Sequence, residues 1–308
     1  MPASDTAGLP GLDGLDVRWD APLGPLTSLK VGGRVTAVVS VKTEEELART
    51  ISAAAAGGLP WMVLGAGSNL LVPDGKTDAI VVRLAGVFRD VEDLPRDRVR
   101  AGAAVKCGAL ARKLAARGLG GLEFAAGIPG TIGGAVAMNA GYATRSTGDV
   151  LERARLLAPG GAIAEAVAAD LELAYRCSRV RRTREVVLSA TLVLERRDPA
   201  ELLARIREGD AHRARTQPLT APSCGSVFKN PPGDHAGRLI DAAGLKGERA
   251  GGAEVSHVHA NFIVTAPGAT AADVETLIAR IQERVASRSG VALAREVLRL
   301  EECLVRTP

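Results

Sequence analysis

Aromatic side chains are nearly missing from this 308-residue chain: two Trp, two Tyr and four Phe make up 3% of it. So sparse a set excludes a base-stacking surface for single-stranded nucleic acid and leaves the core to Ala, Val and Leu. Cysteine is equally scarce. Cys107, Cys177, Cys224 and Cys303 are scattered with no C-x-x-C pair, so neither a disulfide framework nor a zinc ribbon is indicated. There is no excess of one charge, because 39 basic residues face 35 acidic ones for a net +4. That balance suits an anionic small molecule at least as well as nucleic acid. The amino terminus MPASDTAGLP lacks a basic region and an apolar run, so no signal peptide is read. Two long uncharged stretches, 51–67 and 124–144, are Ala-rich and broken by Gly-Gly and Pro, which argues against membrane spans. The expectation is a cytoplasmic globular protein of two or three compact units.

Patterning divides the chain. Residues 35–41 (VTAVVSV) read as a strand, and Thr43 then caps an Ala-rich helix, with Glu46 placed to complete a capping box. Gly57-Gly58 ends that helix, and short strands are expected at 60–64, 70–72 and 79–84. A second unit follows, with paired strands at 87–92 and 99–101, a helix at 108–117 closed by Gly118, and strands at 150–157 and 185–194. The Arg-rich run 179–184 reads as a solvated turn. A helix from Asp198-Pro199 towards Arg215 leads to a third unit, with helices near 237–243 and 271–287, a strand at 261–265 and a final strand at 297–304.

What is abundant is glycine, 35 residues, and it is concentrated where charge is lowest. In 123–141, EFAAGIPGTIGGAVAMNAG, five glycines alternate with apolar residues, a density that flexible linkers do not carry. Glycine lets backbone amides turn towards one point, so the stretch reads as an ordered loop of bare N–H groups suited to phosphate and to close approach of a flat cofactor. A second glycine turn, LGAGSNLLV (64–72), follows a strand but leads into another strand rather than a helix. It therefore departs from a Rossmann fingerprint, and a plain hairpin turn is the stronger reading of it alone. Two such loops in adjacent units make a more specific phosphate cradle. His257 and His259 are read on one strand face near Glu254, but no third His or Cys stands at ligand spacing, and no metal is expected.

LGAGSNLLV, GLEFAAGIPGTIGGAVAMNAG (121–141), YRCS (175–178), PSCGSVFKNP (222–231) and HANFIV (259–264), together with KVGG (30–33), occur in an order that resembles the UDP-N-acetylenolpyruvoylglucosamine reductase family in its compact form. The match runs from about Lys30 to Glu296. It implies an α+β chain: a two-subdomain FAD-binding fold of the vanillyl-alcohol-oxidase type (1–84 and 85–204, with 291–308 returning to the first) plus an α+β substrate domain (205–290). It implies non-covalent FAD, NADPH as hydride donor, a nucleotide-sugar substrate, and a place in cell-wall precursor synthesis. By residue, the resemblance assigns Arg176 to the substrate carboxylate, Ser226 to proton donation and Glu296 to enolate stabilisation. Gly65, Ala66, Gly67, Ser68, Asn69 and Leu70, with Gly127, Ile128, Pro129, Gly130, Thr131, Gly133, Gly134 and Ala135, are the implied cofactor residues. Tyr175, Lys229, Asn230 and His259 are the implied substrate contacts. Lys229 and Asn230 are local candidates for the donor network that a serine acid needs.

The chain departs from the family pattern at three places. Tyr142 follows Gly141 directly, Leu298 stands where an arginine is usual, and Thr265 replaces an asparagine. Arg299 is adjacent to the missing arginine, but a one-residue shift in a strand points to the other face. A flavin oxidase on the same scaffold is the competing enzyme reading. Such oxidases often tether flavin through His or Cys, which 65–70 and 127–141 both lack. A non-catalytic nucleotide sensor is the third, and it leaves Arg176, Ser226 and Glu296 without a task.

Overall fold

The computed structural model describes residues 9–306. The first unit is a four-stranded sheet in which β1 (Asp16–Pro22) runs antiparallel to β2 (Arg34–Val41). β2 is parallel to β5 (Lys76–Leu84), and β5 to β3 (Trp61–Val63). α1 (Glu44–Ala56) makes the crossover. Thr43 caps it by accepting from the Glu46 amide at 3.2 Å. The expected capping box does not close, because the Glu46 carboxylate reaches one residue further back, to the Lys42 amide at 2.5 Å. β1 escaped the sequence reading although its residues alternate, with Val17, Trp19 and Ala21 turned towards the core and Asp16, Arg18 and Asp20 exposed. Between β3 and β5, residues 64–69 turn and lead into β4 (Leu70–Leu71).

The second unit is an antiparallel sheet. Val91–Leu94 is β6 and Arg98–Gly102 is β7; Leu151–Leu157, Ile163–Val167 and Val186–Val193 are β8, β9 and β10. The order is β9-β8-β10-β7-β6. The strand expected at 87–92 begins only at Val91, since Gly86–Arg89 forms a 3-10 turn over the sheet edge that buries Phe88. One face of this sheet carries α2 (Cys107–Ala116) and α3 (Ile132–Met138), around a core of Val, Leu and Ala. α3 corrects the reading of 123–141 as a loop throughout. Thr131 caps it, and Asn139 ends it in the left-handed conformation. The run 179–184 is likewise no bare turn: Ser178 caps α4 (Arg179–Thr183), and Arg179 pairs with Glu185.

α5 (Pro199–Thr216) leads out of this unit after Asp198 caps its first turn. The third unit packs α6 (Ala236–Ala242) and α7 (Ala271–Ser289) on a small antiparallel sheet, β11 (Arg249–Ala250), β12 (Ala253–Val255) and β13 (Ile263–Thr265). α7 starts with a Thr270–Asp273 capping box and stops at Gly290. It buries Val274, Leu277, Ile278, Ile281 and Val285 on one stripe, each worth about 1.5–3 kcal/mol. His257 and His259 lie in the turn between β12 and β13 rather than on a strand face. Among the described residues no three His, Cys, Asp or Glu side chains gather as a metal site. No described helix is long and apolar enough to cross a membrane.

The chain then returns to the first unit. β14 (Leu298–Arg299) pairs in parallel with β4, and Val305 bridges to Trp61. The single strand expected at 297–304 is instead this two-residue strand followed by α8 (Leu300–Cys303). Glu301 and Glu302 at the start of α8 favour a helix N-terminus over continued strand.

Candidate active site

The three units meet around a cavity of about 520 Å³. Its walls are residues 64–70, residues 127–131 with Gly134, Ala135 and Met138 of α3, and residues 223–226 of the third unit. Phe262, Leu219 and Met62 supply apolar surface. A second cavity of about 700 Å³ adjoins it, sharing residues 62–66, Thr131, Gly134 and Met138. Arg83, Arg89, Lys106, Arg181 and Arg184 line this second space, and none of the five forms an ion pair among the described residues.

The two glycine segments use their backbones differently. Among the described residues the N–H groups of 65–69 find no protein acceptor, so this turn is the one that presents bare amides. Gly67 makes the turn possible, with φ +65° and no room for a side chain: a Cβ would lie 2.5 Å from the Leu26 carbonyl oxygen. In 127–135 most amides are consumed locally, Ile128 by Ala125, Gly130 by Ile128, Gly133 by Ala103 and Ala135 by Thr131. This reverses the expectation that the longer segment holds the bare amides, because local turns, the 103–105 backbone and the first turn of α3 take them. Gly130 and Gly134 serve by leaving space, since a Cβ on either would meet nothing closer than 3.6 Å. The set fits FAD. Free amides and cations suit a pyrophosphate, and a flat apolar slot between backbone segments suits an isoalloxazine ring. Cys303 touches both cavities, but burial pushes its thiol up to about 11, so it is no nucleophile for a covalent tether.

On the wall of the first cavity Arg176 donates from Nε to Glu296 Oε1 at 2.5 Å and from Nη2 to the Gly141 carbonyl at 3.1 Å. Both side chains are largely buried, 21% and 12% exposed. Burial raises the Glu296 carboxyl above its ordinary value and outweighs the opposing pull of Arg176 and Lys229. Glu296 is fixed through its backbone: its N–H donates to Val227 at 2.8 Å, and its carbonyl accepts from Asn69 Nδ2 at 3.0 Å. Val227 follows Ser226, so the serine and the glutamate share one short ladder. Ser226 sits just after Gly225, which takes φ +75°.

Tyr175, Lys229, Asn230 and His259 do not line this cavity. Tyr175 Oη accepts from the Asn230 amide at 3.3 Å, bridging the second and third units at the surface. Asn230 Oδ1 caps α6 through the Ala236 amide at 3.0 Å. His259 Nδ1 accepts from the Asn261 amide at 3.2 Å, and its ring packs on Phe262. Arg299 turns away to Glu275, at 2.8 and 2.9 Å, and does not take the place of the missing arginine. Tyr142 does line the cavity. Sequence reasoning missed Arg213. Half-buried on the wall, it donates to Gln217 Oε1 at 3.1 Å and occupies the space a Cβ on Gly127 would fill, 1.9 Å from its Nη1. Its place at the end of α5, four residues before Gln217, was the available signal.

A two-part FAD cradle closed by a third unit defines an FAD-binding flavoprotein, and the comparisons with known proteins agree. Residues 35–166 match the FAD binding domain, and residues 217–300 match the UDP-N-acetylenolpyruvoylglucosamine reductase C-terminal domain. The chain is 43% identical over 294 residues to the UDP-N-acetylenolpyruvoylglucosamine reductase of Acidiphilium cryptum, covering 96% of this chain and 94% of that one. It is 42% identical over 281 residues to reductase 2 of Symbiobacterium thermophilum, covering 91% of each. The crystal structure of the Thermus caldophilus enzyme superposes with a TM-score of 0.80 at 38% identity, covering 92% of this chain and 98% of that one. The chain belongs to the UDP-N-acetylenolpyruvoylglucosamine reductase family of FAD-dependent oxidoreductases. Its fold is an α+β FAD-binding fold joined to the family's C-terminal domain.

Proposed function

We propose that the protein reduces the enolpyruvyl ether of UDP-N-acetylglucosamine to UDP-N-acetylmuramate, with NADPH as hydride donor, in peptidoglycan precursor synthesis and hence in cell-wall growth and division. Residues 1–84 and 85–204, rejoined by 291–308, hold FAD non-covalently, and residues 205–290 close over the nucleotide sugar. The reaction is cytoplasmic, where NADPH and nucleotide sugars are available. The observation that carries this reading is the Arg176–Glu296 pair on a cavity wall shared with Ser226 and two glycine segments.

Bound FAD supplies hydride transfer from NADPH to the terminal carbon of the enol ether. Negative charge then spreads from the neighbouring carbon into the carboxylate. Arg176 meets that charge: two of its nitrogens are held by Glu296 and Gly141, and its remaining N–H groups are left for the substrate. Glu296, whose carboxyl keeps its proton to higher pH than usual, donates a hydrogen bond to the enolate oxygen. Ser226 delivers a proton to the carbon, and this completes reduction of the double bond. The apolar wall of Met62, Phe262 and Leu219 limits water.

The test is anaerobic mixing of each half-reaction. Ser226→Ala accepts hydride from NADPH at a rate close to the parent's, while reoxidation by the enol ether slows by about 10²–10⁴-fold, the range for a lost proton donor. NADPH consumption that runs equally well without the enol ether defeats the proposal.

A further inference from the structure

The turn that carries Arg176 is an awkward place for an arginine. Ala174 and Cys177 exchange both backbone hydrogen bonds at 3.1 Å, so Tyr175 and Arg176 form a two-residue turn. Arg176 takes φ +54°, the left-handed region that favours glycine or asparagine. Such a conformation persists only where surrounding structure imposes it.

The surroundings come from one short segment, 137–141, at the end of α3. Asn139 is itself left-handed, at φ 41°, and only 6% exposed. Its Nδ2 donates to the Ala174 carbonyl at 3.0 Å, and its Oδ1 accepts from the Gly148 amide at 2.8 Å. On the other shoulder of the turn, Ser178 Oγ donates to the Ala137 carbonyl at 2.6 Å, and Ser178 is 2% exposed. The Gly141 carbonyl accepts from the guanidinium itself at 3.1 Å. Arg176 is thus held at its base, its far shoulder and its tip by Asn139, Ala137 and Gly141, three residues of one five-residue segment. The same helix presents Gly134, Ala135 and Met138 to the cavity, whereas the Asn139 amide lies behind the wall.

We propose that Asn139 is a positioning residue. Its side-chain amide fixes the Arg176 turn to the end of α3, so that the guanidinium is registered against both the cofactor cavity and Glu296. This rests on the assignment of Arg176 to the substrate carboxylate. Satisfying both ends of a buried amide makes the joint rigid, and loss of one bond leaves an unpaired polar group. Ser178 is the second fastening of the same turn.

Asn139→Asp keeps the acceptor for Gly148 but replaces the donor to Ala174 with a repelling oxygen. Asn139→Gly keeps the left-handed backbone and removes both bonds. In full-length holoenzyme, both variants are expected to retain FAD affinity and NADPH-driven flavin reduction within about threefold. Reoxidation by enolpyruvyl UDP-N-acetylglucosamine should slow by on the order of a hundredfold, the effect of a misplacement near 1 Å, with a raised KM for that substrate. Asn139→Gly guards against a variant that merely misfolds: melting temperature and FAD release are read alongside each rate. Equal losses in both half-reactions, or losses that follow FAD release, overturn the proposal. So does parental reoxidation in both variants while Arg176→Lys abolishes it. If Arg176→Lys itself reoxidises normally, the assignment of Arg176 fails first, whatever Asn139 does.

Discussion

Two glutamates near the carboxyl end of the chain make the same kind of partnership and come out opposite. Glu275, on the outer face of α7, is held by Arg295 and by Arg299. Glu296 faces the cavity and has Arg176. Burial pushes the Glu275 carboxyl up, but its two guanidiniums prevail and bring it down to about 2. For Glu296 burial is deeper, a single guanidinium does not compensate, and the carboxyl rises. One segment serves both, because Arg295 and Glu296 are neighbours that project to different sides. An ion pair is therefore a latch or a poised acid according to how many partners and how much water remain.

Breaking the inner pair has the largest expected effect. Glu296→Gln should cut the enol-ether half-reaction by roughly 10²-fold or more and spare flavin reduction. It should also remove a pH dependence. A raised carboxyl is protonated at low pH and loses its proton as pH climbs through the folded value, so the parent's rate falls on the alkaline side and the variant's does not. The protonated form's contribution to stability has the same sign: it is present at low pH and lost as pH rises.

The outer pair sharpens the contrast with a smaller effect of opposite sign. A lowered carboxyl stabilises the fold above its unfolded value near 4.5, and the contribution disappears as pH falls towards about 2. Glu275→Gln should therefore lower the melting temperature by about 2–4 °C at pH 7, with the difference shrinking between pH 4.5 and 2, and catalysis nearly unchanged. Arg299→Ala is the mildest. That guanidinium is half exposed, and Arg295 still holds Glu275, so a shift of about 1 °C or less is expected by thermal melting. Equal pH profiles for the inner and outer variants would show the comparison to be wrong.

Much of the local architecture was legible. Thr43 and Gly57-Gly58 bound α1, Asp198-Pro199 opens α5, and the 3.6-residue stripe of α7 announces a buried helix. What failed has a local cause too. The apolar density of 123–141 suggested a loop of open amides, but Thr131 capped a helix within it, and the open amides lie in 65–69. The strand read through 297–304 breaks where Arg299 and Glu302 cap α8. In the candidate site, motif order brought forward Arg176, Ser226 and Glu296, whereas Arg213 lies outside every motif and Asn139 lies inside one without a role read for it. Both act through contacts with distant backbone, Gly127 for one and Ala174 for the other.

The amino-acid order alone decided where glycine permits a turn, where helices begin, and which family the chain resembles. Those features depend on sterics and caps that reach only a few residues. Only the folded arrangement decided that Arg176 meets Glu296, 120 positions away, and that burial raises that carboxyl while Glu275 is lowered. Desolvation and charge pairing depend on what surrounds a group in space, and packing sets that.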